Sequence, residues 1–162
     1  MEVRFLCDGM MGHLARWFRL LGFDAEYAGN VLSDDEILDH LARDPRVLVT
    51  RDVDLDRRAR RKEFHTVLVP EGPLEDEVAH VLRAAGGRVE AARWFTRCTT
   101  CNGELVVKPL AAVRERVPEG VVDSTEGFRE CDRCGQVYWE GTHVELIRRT
   151  FARIAHRLEA AT

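Results

Sequence analysis

The sequence predicts an α/β fold: a short parallel sheet layered between helices, followed by a small cysteine-rich β unit and a terminal helix. Three observations predict it. Short apolar runs alternate with amphipathic helical stretches over residues 1–92, the pattern of parallel strands joined by crossover helices. Two Cys-x-x-Cys pairs, Cys98/Cys101 and Cys131/Cys134, punctuate residues 93–162. Between the two parts the composition shifts to turn residues and short β runs. The division is expected within residues 88–96, giving units 1–92 and 93–162.

Val3 to Cys7 is apolar and ends at Asp8-Gly9, a buried strand running into a turn. Leu14, Trp17, Phe18 and Leu21 recur at i, i+3, i+4 and i+7, an amphipathic helix stopped by Gly22. Phe23 to Tyr27 reads as a second strand. Ser33 with Glu36 three residues on is a capping box, and it opens a helix that turns Ile37, Leu38 and Leu41 inward until Pro45. Arg46 to Thr50 is rich in β-branched residues and reads as a third strand. A highly charged stretch runs from Arg51 to Lys62. Thr66 to Val69 reads as a fourth strand closed by Pro70. Leu74 to Ala85 is a helix with Val78, Val81 and Leu82 on one face, stopped by Gly86-Gly87. Leu105 to Lys108 and Val137 to Glu140 read as strands of the second unit. Glu145 to Leu158 is a last helix, apolar at Ile147, Phe151, Ile154 and Leu158.

The chain has 162 residues, 45% of them hydrophobic and 32% charged, an ordinary globular composition. Its apolar runs are far too short to span a membrane. A cytoplasmic location is expected, since no signal-peptide pattern opens the sequence. The net charge is −4, with the acidic excess confined to residues 1–92. An acidic protein meets nucleic acid through a local basic patch, or through cations that bridge carboxylates to phosphate.

The cysteine spacing carries the strongest chemistry. Two such pairs offer four thiolates at tetrahedral reach, the pattern of a structural zinc site. Zinc binding would add on the order of 10 kcal/mol to the folding of a unit too small and polar to fold well by burial alone. Gly103 and Gly135 follow the pairs closely, where glycine lets the backbone turn its amides toward the sulfurs. Disulfides would need an oxidising compartment, and a thioredoxin-like redox pair would need a strand-to-helix start that neither pair has. Cys7 lies in an apolar run and reads as a small buried hydrophobe.

The second constellation is acidic. In open parallel sheets, functional groups collect at the carboxyl ends of the strands. Asp8 follows the first strand, Asp52 and Asp54 follow the third, and Asp34 begins the helix after the second. Carboxylates brought together there would repel unless a cation neutralised them. Hard oxygen ligands suit Mg²⁺ or Mn²⁺, and such ions can clamp a phosphodiester for attack by water. Singly, Asp34 is better explained as a helix-start residue, Asp54 as an N-cap and Asp52 as a turn former, and it is their joint placement with Asp8 that points to a metal site.

Stretches on both sides of the boundary resemble one family. Phe5-Leu-Cys-Asp8-Gly-Met-Met-Gly12-His-Leu-Ala-Arg-Trp17-Phe-Arg19-Leu-Leu-Gly22-Phe-Asp24, Asp34-Asp-Glu-Ile-Leu38 and Leu48-Val-Thr50-Arg51-Asp52 are similar to the Mut-seven C-terminal RNase domain family, a branch of the PIN-like nucleases. So are Arg97-Cys98-Thr-Thr-Cys101-Asn102-Gly103 and Cys131-Asp-Arg-Cys134-Gly135-Gln-Val-Tyr138-Trp139-Glu-Gly141-Thr142-His143, which match its attached zinc ribbon. The resemblance implies a PIN-like three-layer domain with a metal-dependent ribonuclease site. Its acids would be Asp8, Asp34 and Asp52, with Asp54 as a fourth, and hydrolysis would leave a 5′-phosphate and a 3′-hydroxyl. The chain departs from the pattern in two places. Asp34 and Asp35 compete for one ligand position, and Glu71 stands alone near the fourth strand where a further acid is expected.

RNA is the expected partner. Candidate phosphate contacts are Arg16 and Arg19 on the helix after Asp8, Arg51 beside Asp52, and Arg57 and Arg58 in the basic run that continues through Arg60, Arg61 and Lys62. Trp17 reads as core, and Trp94 and Phe95 as packing between the two units. Tyr138 and Trp139 read either as ribbon packing or as base-stacking surfaces, and His143 as a helix cap or a thiolate partner. A non-catalytic RNA- or ribosome-binding module of the same fold is the alternative function. A Toprim-type site would want glutamate after the first strand, and a haloacid-dehalogenase site Asp-x-Asp there. Asp8-Gly9-Met10 supplies neither. No glycine-rich loop with lysine supports an ATPase.

Overall fold

The computed structural model describes residues 2–122 and 127–160. Its first unit is a four-stranded parallel sheet in the order β2-β1-β3-β4, made of β1 (Arg4–Cys7), β2 (Asp24–Tyr27), β3 (Val47–Thr50) and β4 (Thr66–Leu68). Phe5 pairs with Ala25 on one side and Val47 on the other, and Val49 pairs with Val67. The crossover helices are α1 (Gly12–Leu20), α2 (Asp34–Arg43) and α3 (Val53–Arg61), and α4 (Leu74–Ala85) comes after β4.

The period-two pleat sorts the side chains into two cores. Phe5, Cys7, Val47 and Val49 meet Leu14 and Phe18 of α1 and Val78, Val81 and Leu82 of α4. Leu6 and Leu48 point the other way, onto Ile37, Leu38 and Leu41 of α2 and Leu55 and Ala59 of α3. The result is the expected three-layer α/β domain. The chain steps outward from β1 over one face and returns over the other. The two directions of winding therefore part between β1 and β3, where an open α/β sheet leaves a crevice at its carboxyl edge.

The second unit is a three-stranded antiparallel sheet, β5 (Leu105–Lys108), β6 (Phe128–Cys131) and β7 (Val137–Trp139), with β6 in the middle. Two single-turn helices, α5 (Leu110–Val113) and α6 (Glu119–Val122), lie between β5 and β6. Val113, Val117, Phe128 and Val137 form its small core. The last helix, α7 (Thr142–Glu159), does not pack on that core. Phe151 and Ile154 are fully buried in the core of the first unit. The rings of Trp94, Phe95 and Trp17 stand 4.8, 5.5 and 6.1 Å from that of Phe151. Arg153 and Arg157 pair with Glu75 and Asp76 of α4. Burial of a Phe side chain contributes roughly 1.5–3 kcal/mol, so α7 fastens the end of the described chain to the first unit.

Several elements differ from the sequence reading. Residues 53–61 form a helix where only a charged stretch was expected. Its inward face is Leu55, Asp56 and Ala59, and Asp56 accepts hydrogen bonds from Thr66 Oγ1 at 3.0 Å and Arg60 at 2.8 Å. Two apolar residues among so many charges leave little helical periodicity to read. The strand at 128–131 was missed because Arg129 and Glu130 interrupt its apolar pattern. The last helix starts three residues earlier than expected.

Candidate functional site

Asp8 stands at the end of β1 and is buried. Its Oδ1 accepts a hydrogen bond from the Met10 amide at 3.0 Å, and its Oδ2 accepts one from the Thr50 hydroxyl at the end of β3. The same Thr50 Oγ1 accepts from the Asp52 amide at 3.0 Å. One hydroxyl thus ties the loop after β1 to the loop after β3 across the crevice. Asp52 is the N-cap of α3: its Oδ1 accepts from the amides of Asp54 at 2.8 Å and Leu55 at 3.0 Å. That capping satisfies otherwise orphaned helix amides and holds the carboxylate against the positive end of the helix dipole.

The other two predicted acids lie apart from this pair. Asp34 sits in the first turn of α2, where Arg58 of α3 holds it at 3.1 Å and also pairs with Asp35. Asp54 is exposed and pairs with Arg57 one turn along at 2.9 Å. Among the described residues, no three of these acids bring oxygens within 4.8 Å of one another. Mg²⁺ needs no such cage, because it keeps several waters and commonly binds through one or two carboxylates together with substrate phosphates. The donor chemistry of Asp8 and Asp52 fits such an ion, while Asp34 and Asp35 share the single charge of Arg58.

Thr50 and Glu77 were missed by sequence reasoning. Glu77, in the first turns of α4, is buried. It accepts from Arg51 at 2.6 Å and from the Gly72 amide at 3.1 Å, and His13 of α1 lies 2.8 Å away. Burial works to raise its carboxyl, but His13, the Gly72 amide and Arg51 outweigh burial and hold it below the usual glutamate range. The readable signal was an acid within the apolar stripe of α4, between Leu74 and Val81. Glu71, the acid singled out from the sequence near the fourth strand, is exposed.

The candidate arginines divide. Arg57 and Arg58 face the acids just described, and Arg51 is bound to Glu77 and to the Val69 carbonyl. Arg16 is exposed and has no hydrogen-bond or ion-pair partner among the described residues. Arg19, expected as a phosphate contact, is instead engaged within the protein. Its side chain is buried and donates to the carbonyls of Ala25 at 2.8 Å and Thr99 at 2.9 Å, joining β2 to the first cysteine knuckle.

That knuckle and the second one converge. The sulfurs of Cys98, Cys101, Cys131 and Cys134 all lie within 4.8 Å of one another, with Cys98–Cys134 at 3.7 Å and Cys101–Cys131 at 3.3 Å. Thiolates around a zinc ion stand about 3.8 Å apart when each Zn–S bond is about 2.3 Å, so the group can hold a metal such as zinc. The amides of Arg133 and Cys134 donate to Cys131 Sγ at 3.4 and 3.5 Å. A Cβ on Gly103 would stand 2.7 Å from that sulfur, so the close approach of backbone to thiolate requires glycine there. Burial disfavours ionising Cys98, yet the Tyr138 hydroxyl at 3.1 Å and nearby amides bring its thiol down to about 6. Burial, and then the neighbouring sulfurs, push Cys101 up to about 12. Thiols arranged this way ionise together only when a cation sits among them. Tyr138 therefore fills the thiolate-partner role considered for His143. Cys7, by contrast, is buried in the sheet, and desolvation keeps its thiol protonated.

A second set of possible ligands, Glu26, His40 and Asp44, is already occupied by protein charge. Arg46 reaches Glu26 at 3.0 Å, Asp44 at 2.7 Å and Asp24 at 2.7 Å.

The molecule is thus a doubly wound α/β domain with Asp8 and Asp52 at the carboxyl edge of its sheet, joined to a β ribbon whose four cysteines could hold a metal. The chain belongs to the Mut7-C RNAse domain family, whose model matches residues 3–151. That membership points to a nuclease-like, RNA-related function. Comparison with curated proteins and with solved structures found no match. Among the described residues, no helix is long and apolar enough to cross a membrane.

Proposed function

We propose that the protein is a divalent-metal-dependent ribonuclease that hydrolyses RNA phosphodiester bonds at the crevice between β1 and β3. The observation that carries the reading is the Asp8–Thr50–Asp52 linkage, which presents two carboxylates at the switch point of the sheet. Asp8 and Asp52 would hold Mg²⁺ or Mn²⁺, which when bound polarises a phosphate and lowers the pKa of water. Thr50 fixes the orientation of Asp8 by donating to it. Arg57 and Arg58 offer guanidinium groups to the incoming backbone, and Arg58 exchanges Asp34 and Asp35 for phosphate as RNA arrives. The four cysteines hold a structural zinc, and the ribbon helps to hold the RNA.

The test is cleavage of single-stranded and structured RNA with Mn²⁺, run beside Asp8→Asn and Asp52→Asn. Wild-type cleavage that both variants lose supports the assignment, and equal cleavage by all three removes it. One observation favours a second reading, a non-catalytic RNA-binding module. Arg58 already pairs with both Asp34 and Asp35, so part of the acid set serves the protein's own ion pairs. That reading predicts salt-sensitive RNA binding that needs no divalent ion, with no cleavage in its presence.

A further inference from the structure

The carboxylate edge makes no use of a second concavity, which lies where α1, the ribbon sheet and the start of α7 meet. It is a cleft of about 450 Å³, within the usual range for small-molecule sites. Phe95, Tyr138 and Trp139 supply aromatic surface to its walls, and Leu105, Val107 and Ile147 supply aliphatic surface. Val107 is 69% exposed, far more than a strand valine needs to be if its only role were packing. The charged groups are mostly positive. Arg16, Arg97 and Arg129 line the cleft, and Glu140, the one acid among its described lining residues, pairs with Arg148 at 3.3 Å. Arg97 and Arg129 also donate to the carbonyls of Asn102 and Phe95, so their positions are set before any ligand arrives. Arg16 has no such partner among the described residues.

We propose that this cleft is a nucleobase pocket, taking an unpaired base of single-stranded RNA against its aromatic wall and the adjoining phosphate on Arg16. It rests on the reading that RNA is the ligand, and not on the chain being catalytic. A flat aromatic surface accepts any base through its π face, while arginines at the rim bind the backbone that the base drags past them. The apolar wall argues against a site for phosphate alone, and the positive rim against a purely hydrophobic partner. Arg16 lies one helical turn beyond His13, about 4.5 Å along α1, and His13 faces the carboxylate edge through Glu77. A strand anchored in the cleft would therefore run toward Asp8 along α1.

The experiment uses the full chain loaded with zinc and with no other divalent ion. A 5′-fluorescein-labelled octauridylate is titrated by anisotropy beside an abasic ribose-phosphate octamer of equal charge. The octauridylate should bind at least ~10-fold more tightly than the abasic strand, because stacking adds roughly 1–3 kcal/mol per base. Arg16→Glu, a surface change unlinked to the core, should weaken octauridylate binding by a similar factor, and Trp139→Leu should remove most of the preference for bases while zinc content stays the same. Equal binding of the two strands, or unchanged binding by both Arg16→Glu and Trp139→Leu, overturns the pocket. Intact cleavage without cleft-dependent binding also overturns the pocket and leaves the ribonuclease standing. Cleft-dependent binding without cleavage does the reverse.

Discussion

The acids at the β1/β3 crevice and the sulfurs of the ribbon are both sets of anionic ligands, yet the chain treats them differently. The four sulfurs converge, and the Arg19 guanidinium acts on Cys98 and Cys101 only through space, its hydrogen bonds going to the carbonyls of Ala25, Thr99 and Thr100. The groups that favour their ionised forms are amides and the Tyr138 hydroxyl. The acids are spread along the sheet edge, and most have a protein partner: Thr50 for Asp8, helix amides for Asp52, Arg57 for Asp54 and Arg58 for Asp34. If the cysteines hold a structural zinc, as proposed, they can leave most of their charge uncompensated, because such a unit folds only around its ion. Under the proposed function the acids meet their ion together with substrate, so that edge must be stable alone and its charges are lent to neighbours until the ligand comes.

The largest effect should come from breaking the first side of that contrast. Stripping zinc, or Cys98→Ser, should unfold the ribbon, with a loss on the order of 10 kcal/mol from that unit. Hydrogen exchange should then show amides 97–139 unprotected while β1 and β3 stay protected. A ribbon equally protected without metal would remove the distinction between the two sites.

Next is the crevice. Asp8→Asn should lower Mn²⁺-dependent cleavage by at least ~100-fold, the loss expected when a metal ligand or its support is removed. Far-UV circular dichroism should not change, since Asn can keep the Met10 amide bond through its Oδ1 and donate to Thr50 Oγ1 from its Nδ2.

A smaller effect probes the seam between the two regions. Burial acts to raise the Asp24 carboxyl, but hydrogen bonds from Arg46 and from Asn102 of the first knuckle outweigh it and hold the carboxyl below the ordinary aspartate value. A depressed carboxyl stabilises the fold fully above its unfolded pKa of about 3.9 and loses that contribution as pH falls through its folded value. Wild-type stability should therefore drop below pH ~4. Asp24→Asn should cost about 2 kcal/mol at neutral pH, as for hydrogen bonds to a charged group, and should flatten that acid limb. Urea denaturation at pH 7 and pH 3 measures both.

The smallest effect sharpens the idea of lent charge. Arg58→Ala removes two surface ion pairs and should change stability by less than ~1 kcal/mol. It should nonetheless tighten Mn²⁺ binding several-fold by releasing Asp34 and Asp35. Unchanged affinity, read by manganese electron spin resonance, would show that these two acids serve only to pair with Arg58.

Much of this was legible in advance for physical reasons that act over short spans of chain. A pleated strand, a capping box and a Cys-x-x-Cys knuckle are each complete within a few residues, so β1, α2, α4 and the cysteine group can be read from local pattern. Helix α3 could not, because charge masks the two apolar residues that seat it. The inward placement of Arg19 is hidden for the same kind of reason. It lies off the apolar stripe of its own helix, and only the docking of the first knuckle against β2 buries it.

Sequence alone therefore settled the layer architecture, the set of four cysteines that converge and the placement of Asp8 and Asp52 after their strands, since each depends on neighbours along the chain. Tertiary structure decided which charges meet. Thr50 bridging two loops, Arg58 claiming Asp34, Glu77 gathering His13 and Arg51, and the cleft between α1 and the ribbon all join residues far apart in sequence. No periodicity records such pairings, because each is chosen by whichever opposite charge or hydrogen-bond donor the packed backbone brings within about 3 Å.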